Sequence, residues 1–141
     1  MSSQNEIGPE ELDRLSFYWF AEAMRILALE AEDQCNEMGN YNTPFELQYD
    51  VTAHTSLAVS TYIDFSTDQR AEISRICDAL RKLPDEAITP KGAKMTTHAG
   101  CMAGMGHAAW RPFRKDAARL LASLDPLLNE NQEYLFQDIK K

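Results

Sequence analysis

Apolar residues recur at helical spacing along most of the chain, and their phase predicts about five helices. The first runs over residues 9–38, with Pro9 and the carboxylates of Glu10 and Glu11 where a helix start favours them and Gly39-Asn40 as its stop. In it Phe17, Tyr18, Trp19 and Phe20 point four ways, so the helix is either central or offers one side to a partner. Its second half turns acidic at Glu30, Asp33 and Glu37, on the face that Trp19 and Ile26 occupy earlier.

Residues 45–65 carry two competing patterns. Odd positions from Phe45 to Phe65 are apolar or threonine and even ones mostly polar, which is strand alternation. Yet 21 residues exceed the ordinary strand of roughly 3 to 10, and no Gly, Pro or Asn marks a hairpin turn. A buried helix over about residues 47–62, its Ser and Thr hydroxyls bonding back to the preceding turn, is the preferred reading; a hairpin turning at residues 53–56 is the alternative.

Ser66-Thr-Asp-Gln69 has the form of a capping box. Behind it Ile73, Ile76, Cys77, Leu80 and Leu83 form one stripe, with Arg70, Arg75, Asp78, Arg81 and Lys82 on the wet side and Pro84 as the stop. Residues 85–97 read as a polar connection. Pro112 is placed to begin a helix carrying Phe113, Ala117, Leu120, Leu121 and Leu124, and Asp125-Pro126 to cap and begin a last one through Leu127, Leu128, Tyr134, Leu135 and Ile139.

Composition stands close to globular averages, with 44% hydrophobic and 26% charged residues, so the 141 residues are expected to form a single domain, 1–141. Charge is uneven: residues 1–50 hold eleven Asp and Glu against Arg14 and Arg25, whereas the remainder is nearly balanced and the whole chain carries -8. Such a surface repels nucleic acid and anionic membranes and attracts basic partners over a long range. Three widely spaced cysteines, Cys35, Cys77 and Cys101, predict free thiols in a reducing compartment. The opening residues lack a basic segment followed by an apolar run, and no apolar stretch approaches the ~20 residues of a membrane span. The expected location is the cytoplasm.

The segment His98-Ala-Gly-Cys-Met-Ala-Gly-Met-Gly-His107 has a composition that core packing alone does not explain. Each of Gly100, Gly104 and Gly106 would weaken a helix by ~1 kcal/mol relative to Ala, so the backbone there either bends or is closely approached by another group. His98, Cys101 and His107 offer three zinc-type ligands or a Cys-His pair, without a fourth ligand or an oxyanion hole in the local sequence. Residues 104–109 match G-x-G-x-x-A, but neither a preceding strand nor a βαβ unit accompanies them. Arg111, Arg114, Lys115 and Arg119 make a basic stripe expected to neutralise acidic neighbours or remain solvated.

The sequence thus predicts an all-α compact bundle of about five helices, or α+β if residues 45–65 form the hairpin. Its predicted function is that of a non-catalytic acidic module capturing a basic protein, with Glu30, Asp33 and Glu37 docking electrostatically and Met102, Met105, His107 and Trp110 forming a contact patch. In size and charge the chain resembles the small acidic helical proteins that neutralise bacterial toxins, which would imply an immunity or antitoxin role. The alternatives are a zinc- or thiol-dependent enzyme or sensor centred on His98, Cys101 and His107, and a homodimer paired through the aromatic first helix. No cofactor, metal, nucleic acid or membrane is expected.

Overall fold

A computed structural model describes residues 7–39 and 42–137. They form seven α-helices and two short 3-10 turns, with no strand among the described residues: α1 Pro9–Leu27, α2 Ala31–Met38, α3 Thr43–Thr52, α4 Thr67–Arg81, α5 Asp85–Ile88, α6 His98–Met105 and α7 Arg111–Phe136, with 3-10 turns at Thr55–Val59 and Ala108–Trp110. The all-helical expectation holds and the count of five is corrected to seven. The expectations for residues 1–6, Asn40 and Ile139 lie outside the described residues.

α1 is the organising element and packs on α7, α3 and α2. Phe17, Phe20, Met24 and Leu27 are fully buried on it, Tyr18 is half-buried, and Trp19 is 58% exposed. The aromatic quartet therefore divides into two core residues, an edge and one surface ring.

The predicted 9–38 helix is two helices. The chain leaves α1 after Leu27 and Glu30 turns extended (φ -72°, ψ 161°) before α2 begins. The last carbonyls of a helix lack intrahelical donors. Here the buried Gln34 side chain supplies them, its Nε2 donating to Ile26 O at 3.2 Å and Leu27 O at 3.0 Å.

Residues 45–65 are helical only as far as Thr52, whose hydroxyl bonds back to Gln48 O at 2.8 Å. The rest is the 3-10 turn and an irregular segment held by Arg70, which donates to the carbonyls of Ala58, Ser60, Ile63 and Phe65. One guanidinium thus satisfies the backbone where helix bonds are missing, so Arg70 is half-buried, not on the wet side. The odd-numbered pattern reflects Leu57, Ile63 and Phe65 dipping into the core, while Val59 between them is exposed.

The Ser66 capping box forms as predicted, Gln69 N donating to Ser66 Oγ at 3.1 Å and Ser66 N to Gln69 Oε1 at 2.9 Å. Residues 85–97 hold a further short helix, α5, whose Ala87 carbonyl accepts from the indole of buried Trp110 at 3.0 Å. Pro126 does not start a new helix, because α7 continues through it. The ring cannot donate to the Ala122 carbonyl, but Ala122 and Pro126 are both exposed, so water can reach that group. On the inner side Leu124 and Asn131 keep the helix seated, with Asn131 Nδ2 donating to Arg14 O at 2.9 Å.

The glycine-rich segment is helical, and close approach is what its glycines permit. A Cβ on Gly100 would lie 1.9 Å from Lys94 O, and one on Gly104 would lie 2.6 Å from Pro44 Cγ and 3.3 Å from Ala87 O. α6 therefore seats tightly against α3, α5 and the loop before it. No helix among the described residues is long and apolar enough to cross a membrane.

Candidate functional site

The three predicted docking carboxylates have different surroundings. Glu37 lies 3.2 Å from Arg25 Nη1, an arginine also 3.4 Å from Glu22. Glu30 lines a groove of about 540 Å³ with Arg111, Arg114 and Lys115, so the basic stripe faces it. Asp33 is exposed and makes no ion pair among the described residues. The ladder is thus partly neutralised from within, which weakens it as a long-range attractor.

The predicted contact patch is corrected more strongly. Met105 and Trp110 are fully buried core residues and present no surface to a partner. Met102 and His107 are half-buried; His107 Nδ1 accepts from Ala109 N at 3.0 Å, capping the second 3-10 turn. Methionine and tryptophan in a glycine-rich stretch suggested an adaptable surface, but the glycines let that stretch sink into the core.

The cysteine expectation is overturned for two of three residues. Cys35 on α2 and Cys101 on α6 are joined by a disulfide, and Cys77 is a buried free thiol. With its sulfur bonded, Cys101 has no thiolate to ligate zinc or attack a substrate. His98 is exposed on the first turn of α6, and no grouping of three or more His, Cys, Asp or Glu suited to a metal occurs among the described residues. The zinc- or thiol-centred constellation is therefore not assembled.

Another constellation is. Contact between α1 and α3 leaves a cleft of about 510 Å³ lined by Trp19, Glu22, Ala23, Ile26, Asp50 and His54. Ala23 and Ile26 form an apolar floor and the exposed Trp19 ring one wall. Asp50 stands one turn after Glu46, with no basic residue on α3. Burial first, and the Glu46 charge second, push its carboxyl above the usual aspartate range.

His54 closes one end of the cleft, its Nδ1 2.6 Å from Ser16 Oγ on α1. Burial pushes its pKa down, so the imidazole is neutral at physiological pH. A Ser-His contact beside an aspartate invites comparison with a nucleophilic triad. Asp50 makes no ion pair with His54 within 4.0 Å, and Ser16 sits inside α1, where backbone N–H groups are committed to helix bonds and cannot form an oxyanion hole. The geometry suits binding.

Sequence reasoning did not find this site. In the sequence Trp19 is one of four consecutive aromatics, but its proximity to Asp50 and His54 depends on a helix pairing that spacing along the chain does not encode. The available signal was Glu46 and Asp50 at i, i+4 on a short helix lacking any cation, an arrangement that costs helix stability. No protein-family model, curated protein or solved structure matches the chain.

Proposed function

We propose that this chain is a non-catalytic acidic module that captures a basic protein, through the α1–α3 face in place of the α2 carboxylates. The observation that carries the reading is the carboxylate of Asp50, unpaired among the described residues and crowded by Glu46 one turn earlier on α3, on the same cleft as the exposed Trp19 ring. Like charges one helical turn apart destabilise a helix, and local costs of this kind accumulate where a surface serves a partner. Exposed aromatics beside them supply the contact area that interfaces favour. Neutralisation of a basic toxin is the form of this function that size and charge support.

Capture of proteins on the immobilised chain tests it. Between about 0.01 M and 1 M ionic strength the Debye length falls from ~30 Å to ~3 Å. A specific basic partner is retained at the lower value, released as salt rises, and lost from an E46Q/D50N double variant. Retention of proteins without basic bias, or unchanged by salt, contradicts the reading.

One observation favours a second reading, in which the partner is another copy. Trp19 and Phe136 are exposed around a groove shared with Glu11, Leu15, Tyr18 and Leu135, a largely apolar face at the meeting of α1 and α7. Sedimentation at varied concentration separates the two, since a dimer assembled on this face is insensitive to the E46Q/D50N change.

A further inference from the structure

We propose that the α1–α3 cleft is a receptor for a single arginine side chain of the basic partner, the guanidinium stacking on Trp19 and bonding Asp50 while its methylene stem lies over Ala23 and Ile26. The inference rests on the capture reading above and specifies the group recognised.

Three features of the cleft select this chemistry. Its floor is apolar and its rim anionic, which matches a side chain with a hydrocarbon stem and a cationic head. Trp19 is held edge-on to Tyr18, ring centroids 5.0 Å apart, and Tyr18 in turn to Phe136 at 6.2 Å, so the exposed indole is braced before any partner arrives. A braced indole face attracts cations, and a planar, weakly hydrated guanidinium stacks on it where a compact ammonium does not.

The anionic wall is available. Glu22 is shared with Arg25, whereas Asp50 has no ion-pair partner among the described residues and is crowded by Glu46, so a cation arriving beside it relieves repulsion as well as gaining a charge-assisted hydrogen bond. His54, neutral and engaged with Ser16, adds no opposing charge.

Hexa-arginine, hexalysine and hexacitrulline peptides are suitable probes, followed by nuclear magnetic resonance of the two tryptophan indoles, which W19F assigns, and by titration calorimetry. Hexa-arginine should shift the Trp19 indole and the Asp50 and His54 amides while leaving the buried Trp110 indole unmoved. Hexacitrulline should not bind, hexalysine should bind more weakly, and both W19A and D50N should weaken hexa-arginine at least tenfold. D50N removes a charge that costs the fold, so weaker binding with unimpaired thermal stability distinguishes a lost site from a lost structure.

Equal binding of hexacitrulline, or of hexalysine, overturns arginine recognition. Hexa-arginine affinity unchanged in W19A and D50N, or shifts confined to other surfaces, overturns the cleft while leaving capture of a basic protein standing. If hexa-arginine fails to bind but the immobilised chain still retains a basic protein in a salt-dependent way, the cleft alone falls. If neither occurs, the capture reading falls with it.

Discussion

Arg114 reaches from α7 to the buried oxygen of Gln34, with its Nη2 2.9 Å and its Nε 3.3 Å from Oε1. The same guanidinium donates to the Met105 carbonyl at the end of α6, and the Gln34 amide group donates to the last carbonyls of α1. Two side chains thus join the ends of α1 and α6 to α2 and α7. Burial pushes the Arg114 pKa down, and the nearby Glu30 charge works the other way.

Gln34→Leu strands the Leu27 carbonyl, leaves Ile26 O with the Leu29 amide alone, and removes one acceptor from a half-buried cation. It should cost about 2–4 kcal/mol in denaturant unfolding. Because Arg114→Met removes the donor from the other side, the double variant should cost less than the two single changes together. A coupling of about 0.5–3 kcal/mol is expected for residues in one network. Strict additivity in that double-mutant cycle would show that the two side chains do not act together.

The disulfide between Cys35 and Cys101 closes a loop of 66 residues and ties α2 to α6. Restricting the unfolded chain over that span is worth about 4 kcal/mol in the chain-entropy model. Reductant, or the Cys35→Ser/Cys101→Ser variant, should lower the denaturation midpoint accordingly. Thiol titration of the oxidised protein in denaturant without reductant should find Cys77 alone. Three reactive thiols would mean that the bond does not form in solution. In the native protein Cys77 should react slowly, since it is buried and burial raises its pKa.

Gly100→Ala tests close packing against helix propensity. In an exposed helix the change would stabilise by ~1 kcal/mol. Here the added methyl meets the Lys94 carbonyl at 1.9 Å, a backbone atom that cannot rotate aside, and the Gly104 methyl meets Pro44 at 2.6 Å. Both substitutions should destabilise, by about 1–3 kcal/mol or more, with Gly100 the worse. A melting temperature raised by Gly100→Ala would show that α6 is not seated as described.

Local rules made much of the helical architecture legible and little of the site. The Ser66 capping box, the apolar stripe of α4 and the Pro112 helix start all form from residues within a few positions of one another. What failed to show needed partners far along the chain. The break after Leu27 depends on Gln34 and then on Arg114, the irregular segment over residues 58–65 on Arg70, and the continuity through Pro126 on packing against α1. The cleft belongs to the same class: Ser16 and His54 are 38 residues apart, and only the packing of α1 on α3 brings them together. Composition marked the 98–107 stretch as unusual, and correctly suggested close approach. It could not say that the approaching groups were the Lys94 backbone and the Pro44 ring of the same chain.

His54 and Asp50 share one cleft and should impose opposite pH dependences on stability. The folded-state pKa of His54 lies below the ordinary histidine value of 6.5, so the unfolded chain takes up a proton first as pH falls through that value, and stability declines until the folded pKa is passed. Asp50 has a folded pKa above the ordinary aspartate value of 3.8, so the native state takes up its proton first and gains stability as pH falls through that higher value towards 3.8. At pH 7 the Asp50 charge is therefore a cost, and Asp50→Asn should stabilise, by about 0.2–0.5 kcal/mol from relief of the like-charge pair with Glu46 alone. That advantage should vanish below pH 3.8, where wild-type Asp50 is neutral as well. His54→Gln should flatten the loss of stability between pH 7 and pH 5 relative to wild type, even if it lowers stability at pH 7 by removing the Ser16 contact. Parallel wild-type and His54→Gln curves across that interval would show that His54 is no more buried in the folded chain than in the unfolded one, and an Asp50→Asn protein less stable at pH 7 would show that the carboxylate has an internal partner.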